Sequence, residues 1–191
     1  MSRLPANDRF RAAADSLGIE PDLVRFSEDT RTAVQAATAL GCELGQIIKS
    51  LIFRCDGEPG RALTAGDQRV DTKALGELCG GTIEKAGAEV VRDVTGFVIG
   101  GVPPFGHRTQ LRCFVDRNIC RHETVWGAAG TPDTVFAIPS ARLVGLSGGQ
   151  IADFVMCTRR VHTLTEHPAL MSGYARAPHH HCSPLRRAGP L

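Results

Sequence analysis

Apolar and polar positions along this chain fall into short blocks whose period switches between that of a helix and that of a strand. Phe10, Ala13, Ala14 and Leu17 recur at helical spacing within Asp8–Leu17 and are followed by Gly18, which predicts a helix closed by glycine. A second helix is expected from Arg31 to Leu40, with Thr30 as its cap, Ala33, Ala36, Ala37 and Leu40 on one face, and Gly41 just past its end. Gln46 to Arg54 is apolar and β-branched, and a further run from Arg61 to Thr64 lies beyond the turn residues Asp56 to Gly60, the pattern of a hairpin. Asp71 is placed to cap a short helix through Leu78, and Ala86 to Val94 is a weaker helical stretch. Strands are expected at Leu111–Val115, Thr124–Ala128, Thr134–Ile138 and Gln150–Val155, with a helical turn near Ser140–Leu146. Helices and strands are mixed without regular βαβ alternation, so the fold class is α+β: one domain over residues 1–155, with a curved mixed sheet flanked by helices. From residue 156 onwards the apolar period stops, and 156–191 is expected to be a disordered tail.

Period-2 alternation near residue 50 puts Lys49 on the same strand face as Ile47, Leu51 and Phe53. An unpaired ammonium among apolar groups is costly, so Lys49 must meet a carboxylate, reach solvent, or face a pocket for a ligand with negative charge or a polar carbonyl. Farther on, Gly100-Gly101-Val102-Pro103-Pro104-Phe105-Gly106-His107 follows the apolar run Phe97-Val98-Ile99. Glycines let a ligand approach backbone N–H groups, and prolines leave a loop few states to lose on binding. The same residues also suit a plain connection between strands. If the loop binds, a β-branched residue at 101 covers and misaims its donors, while Val102→Ala matters little.

The chain has 191 residues, 42% of them hydrophobic, enough for one good core. Its net charge of +2 is interspersed, which excludes wholesale tracking of a nucleic-acid backbone, DNA included. The first residues have no signal-peptide core and no apolar run approaches a membrane span, so a cytoplasmic protein without a membrane partner is expected. Seven scattered cysteines without a C-x-x-C pair suit reduced thiols rather than a disulfide or zinc framework.

Glu43-Leu44-Gly45-Gln46-Ile47-Ile48-Lys49-Ser50-Leu51, then the Gly/Pro loop, then Trp126-Gly127-Ala128-Ala129-Gly130-Thr131-Pro132 succeed one another in an order that closely resembles the YbaK / prolyl-tRNA-synthetase-associated editing-domain family. The resemblance spans roughly residues 5 to 155 and implies that family's fold. It also implies a free-standing aminoacyl-tRNA deacylase that hydrolyses mischarged tRNA, with small amino acids such as cysteine or alanine on tRNA-Pro as the substrates. The implied partners are the 3′ end of aminoacyl-tRNA and prolyl-tRNA synthetase, with no cofactor and no metal. By the same resemblance Lys49 is the strand lysine of the substrate pocket, and Gly100 and Pro104 are the ends of a G-x-x-x-P loop whose backbone contacts the substrate carbonyl. Lys49, Gly100 and Gly101 are therefore the catalytic candidates; Val102, Pro103, Pro104, Phe105, Gly106, His107, Gly130, Thr131 and Asp133 are the substrate-binding ones. Many family members carry histidine where this chain has Asp133.

Two other hypotheses stay open: a non-catalytic module of the same fold that captures acylated tRNA or a synthetase, and ester or thioester hydrolysis by Cys113 or Cys120. Gly145-Leu146-Ser147-Gly148-Gly149 fits G-x-S-x-G, with Asp153 and His162 after it, but the expected helix before the serine and strand after it reverse a nucleophile elbow. His179-His180-His181-Cys182 could take a metal adventitiously.

Overall fold

The computed structural model describes residues 5–26 and 32–156. Thr30 and Arg31, the histidines at 162 and 179–181, Cys157, Cys182 and the tail from 157 lie outside these. The first helix, α1 (Ala6–Ser16), buries Phe10 and Ala14 on one face. β1 (Leu23–Arg25) follows, and then α2 (Ala33–Leu40). The cap of α2 is Thr32, two residues later than expected. Its hydroxyl accepts from the Gln35 amide while the Gln35 side chain accepts from the Thr32 amide, a reciprocal box that a more upstream threonine cannot form.

β2 (Ile48–Cys55) and β3 (Glu58–Ala65) pair antiparallel with Cys55 opposite Glu58. The connection is thus the two residues Asp56-Gly57, both with positive φ (47° and 92°), and not a loop running to Gly60. Two left-handed residues twist the chain in the sense a two-residue hairpin needs. Gly60, expected in the turn, lies within β3 opposite Phe53, whose ring occupies the place of its missing Cβ.

α3 (Thr72–Cys79) is capped by the Asp71 carboxylate, and β4 (Ile83–Lys85) leads into α4 (Ala88–Thr95). β5 (Arg112–Asp116), β6 (Thr124–Ala128), β7 (Thr134–Pro139), α5 (Ser140–Ser147) and β8 (Gln150–Ala152) complete the order. The strands form two sheets rather than one: β4-β2-β3-β5-β8, which mixes antiparallel and parallel pairs, and antiparallel β1-β7-β6. Among the described residues they meet at one bridge, Ile47 to Trp126, where the 3-10 turn Leu44–Gln46 swings the chain into β2. The mixed α+β character expected from the sequence therefore holds, and the curvature is the fold from one sheet to the other. In the larger core the rings of Phe10, Phe105 and Phe136 pack together at 4.7–5.7 Å between centroids, joining α1, the Gly/Pro loop and β7. Among the described residues no helix is long and apolar enough to cross a membrane.

Candidate functional site

A cavity of about 310 Å³ opens where the two sheets meet, between β2, α2, α4 and the loop before β7. Ile48, Ile52, Ala36, Val91 and Val135 make its wall apolar, and its charged lining residues are Lys49 and Lys85, with no carboxylate among the described residues. The size is at the lower end for small-molecule sites.

Lys49 lines this cavity and is half-buried on β2 opposite Thr64. Its ammonium forms no ion pair within the described residues. It donates to the carbonyls of Gly66 (3.1 Å) and Gln68 (2.5 Å), in a turn after β3 that the Gln68 amide closes on Ala65. An ammonium has three donors, so one remains for a ligand. Burial pulls the lysine below its ordinary pKa, and the carboxylates of Asp67 and Asp116 oppose that shift.

In the Gly/Pro loop the Gly101 amide donates to the Val98 carbonyl at 3.0 Å, and Gly100 between them has φ +87°. This is a turn with a left-handed third residue, which glycine alone adopts cheaply. Gly101 differs from expectation. The place of its Cβ is filled by the Gly130 backbone, with the carbonyl oxygen 2.7 Å away, and its own carbonyl accepts from the Gly130 amide at 3.1 Å. It is glycine so that two loops can touch, and its N–H is already engaged. The amides of Gly100 and Val102 meet no acceptor among the described residues, and both residues line the cavity.

The rest of the loop stands behind the cavity. Pro103, Pro104, Phe105, Gly106 and His107 do not line it. Phe105 is 4% exposed within the three-ring core, and Gly106 has φ +78° against Ala13. His107 lies between the Pro103 carbonyl (2.8 Å, Nε2) and the Arg61 guanidinium (3.0 Å, Nδ1). Burial, and then the neighbouring Arg61, hold its pKa down at about 4, so the ring is neutral.

The third segment is also redistributed. Gly130 (φ +107°) leaves room for the Ala6 carbonyl, and Thr131 accepts from the Asn7 amide group. Neither reaches the cavity. Asp133 also stays outside it, bonded to Arg25 at 2.8 Å and to the Thr134 hydroxyl at 3.2 Å. Hydrogen bonding from Thr131, with Arg25 and Thr134, keeps that carboxyl below its usual pKa. The residue of this segment that does line the cavity is Pro132, 3.3 Å from where a Gly100 Cβ would be. A proline after Gly-Thr reads as turn, so no local signal marked it. Arg61 likewise carries no local signal at the head of an apolar run, yet it is buried at 3% exposure.

Cys113 is buried and accepts from Arg61 at 3.3 Å, and neither it nor exposed Cys120 lines the cavity. Ser147 ends α5, with Gly148 as the left-handed cap before β8, so G-x-S-x-G here is a helix terminus. No cluster of metal-binding side chains occurs among the described residues.

Comparison with known proteins bears on the family and the fold. The family described as the aminoacyl-tRNA editing domain matches residues 27–146. YwhH of Bacillus subtilis, an uncharacterised protein, is 30% identical over 133 residues, which are 69% of this chain and 85% of YwhH. EbsC of Enterococcus faecalis, a candidate Cys-tRNA(Pro)/Cys-tRNA(Cys) deacylase, is 26% identical over 130 residues, 67% of this chain and 79% of EbsC. The proline–tRNA ligase of Maridesulfovibrio salexigens is 36% identical over 96 residues, half of this chain but only 16% of the ligase. The crystal structure of a candidate trans-editing enzyme for prolyl-tRNA synthetase superposes with a TM-score of 0.77 at 38% identity, covering 81% of this chain and 99% of that one. With the family model matched over more than half its length and a solved relative sharing its fold, the chain belongs to the aminoacyl-tRNA editing domain family.

Proposed function

We propose that this protein is an aminoacyl-tRNA deacylase acting in trans, which removes a small amino acid such as cysteine or alanine from tRNA-Pro. The observation that carries the reading is that one cavity is lined both by Lys49 of β2, which has a spare donor, and by Gly100 and Val102, whose amides meet no acceptor among the described residues. Water attacks the ester carbonyl carbon, the carbonyl oxygen becomes an oxyanion, and the bond to the ribose oxygen then breaks as that oxygen takes a proton. The two amides stabilise the oxyanion. Lys49 and Lys85 hold the phosphate-linked 3′ end by charge. By the family resemblance, the vicinal ribose hydroxyl orients the water. An apolar wall and modest volume favour a small aminoacyl group, the case in which a synthetase's own pocket discriminates by only about 1–3 kcal/mol and a second sieve is needed. The candidate Cys-tRNA deacylase and the candidate trans-editing enzyme among its relatives support the same reading.

The test is single-turnover deacylation of Ala-, Cys- and Pro-tRNA-Pro by the full chain. Loss of label from at least one mischarged tRNA, with Pro-tRNA-Pro spared, is expected. Tight binding without turnover on all three would make the protein a capture module instead.

A further inference from the structure

Pro103 and Pro104 have no N–H, so carbonyl oxygens are the only backbone handles that can fix this part of the loop. Both are held. His107 takes the Pro103 carbonyl at 2.8 Å, and Arg61 donates to the Pro104 carbonyl and, at 3.0 Å, to His107 Nδ1. Arg61 also donates to the Ser147 carbonyl at 2.8 Å and to the Cys113 sulfur at 3.3 Å. Four acceptors from the loop, α5 and β5 thus converge on one guanidinium that is 3% exposed, and no acidic side chain pairs with it among the described residues. All four acceptors are neutral, so their geometry fixes where the planar fork can sit, and a lysine cannot reproduce it. Because Arg61 faces Nδ1 with an N–H, that nitrogen must accept. The ring proton is then on Nε2, donated to Pro103. Protonating Nδ1 would set donor against donor.

We propose that Arg61 is a positioning residue: from beneath the loop, with His107 as its brace, it orients the Pro103-Pro104 segment so that the Gly100 and Val102 amides face the cavity. The proposal rests on reading the cavity as a deacylation site. The groups that face His107 are Arg61 from β3, the Pro103 carbonyl and the edge of Phe97, with Cys113 of β5 on the far side of the guanidinium.

The experiment compares the full-length chain with Arg61→Met and Arg61→Lys, reading single-turnover rate and half-saturation on a mischarged tRNA against pH, and the His107 ring titration by NMR without substrate. In Arg61→Met the rate is expected to fall about a hundredfold, the loss of roughly one oriented donor, with half-saturation changed less than threefold. His107 should titrate above its parent value, because the neighbouring cation is gone while the burial stays. Arg61→Lys should rescue only part of the rate. A folded Arg61→Met with the parent's rate overturns the proposal, as does a loss confined to half-saturation. If Arg61→Met does not fold, parent-level rate in Arg61→Lys overturns it. A parent chain inactive on every tRNA would instead sink the deacylase reading; the NMR titration would still report whether Arg61 holds His107, and an unmoved His107 would overturn the bracing.

Discussion

Replacing Gly101 by alanine adds one methyl group where two loops touch. That carbon would stand 2.7 Å from the Gly130 carbonyl oxygen and 2.8 Å from Thr131 Cα, both backbone atoms. Gly130 has little room to retreat, because the place of its own Cβ is taken by the Ala6 carbonyl, 2.5 Å away. Gly101 does not have a left-handed φ, so alanine introduces no backbone strain there and the cost is one of packing. Overpacking of this kind costs about 1–3 kcal/mol, and loss of the 3.1 Å bond from the Gly130 amide to the Gly101 carbonyl adds about 1 kcal/mol. A loss of about 2–4 kcal/mol should lower the melting temperature by roughly 5–15 °C in a body of this size. Displacing the turn also misaims the flanking amides, so the single-turnover rate measured well below the melt should fall by about a hundredfold or more. Thermal denaturation followed by circular dichroism, together with that rate, makes the assay. Gly100→Ala is the comparison: it strains a left-handed residue by about 1–2 kcal/mol but brings its methyl only to 3.3 Å from the Pro132 side chain, a milder contact than at Gly101. A Gly101→Ala protein that melts within about 2 °C of the parent and turns over at its rate would refute the argument that loop contact sets the donors.

Lys49→Met keeps the apolar stem but strands the Gly66 and Gln68 carbonyls; with the site half-exposed, a loss of about 1–2 kcal/mol is expected by thermal melt, together with most of the deacylation rate. An unchanged melt would show that solvent replaces the ammonium. Asp133→Asn should alter the rate less than threefold and stability by under about 1 kcal/mol, because its ion pair with Arg25 is exposed and lies outside the cavity; a loss as large as that of Lys49→Met would restore Asp133 to the site. His107 is neutral in the fold and titrates at about 4, against about 6.5 when unfolded, so its contribution to stability is full above pH 6.5 and is lost as pH falls towards 4, a change of about 3 kcal/mol. Melts from pH 7 to 4 should show it, and His107→Gln should flatten that part of the curve. Val102→Ala, mild if only its backbone mattered, should cost about 1–2 kcal/mol, since the side chain is 4% exposed in the core, and equilibrium denaturation measures it.

Helical periodicity and caps made α1, α3 and the end of α2 legible in the sequence, because 3.6-residue spacing and a terminal glycine are local properties of the chain. The same is true of the β2–β3 pair and of the strands containing Phe114, Val125 and Phe136. The three-residue strands β1 and β4 were invisible. They are too short to show alternation, and they exist because Phe136 and Phe53 of neighbouring strands offer them partners. Lys49 stood out since an ammonium on an apolar strand face is a conflict that any fold must resolve. How it is resolved, through two carbonyls of a turn after β3, depends on a partner strand brought alongside. The Gly100–His107 stretch announced a constrained loop, yet its residues divide between cavity, core and inter-loop contact only when α1, β3 and the 130–132 segment close around it. For that reason Gly101 serves the contact between loops, Pro132 lines the cavity, and Arg61 acquires a role. Composition and spacing along the chain determine which residues can form elements and which are in conflict. Which atoms meet across 30 to 120 residues of sequence is decided by packing, because distance and direction between side chains are properties of the closed structure alone.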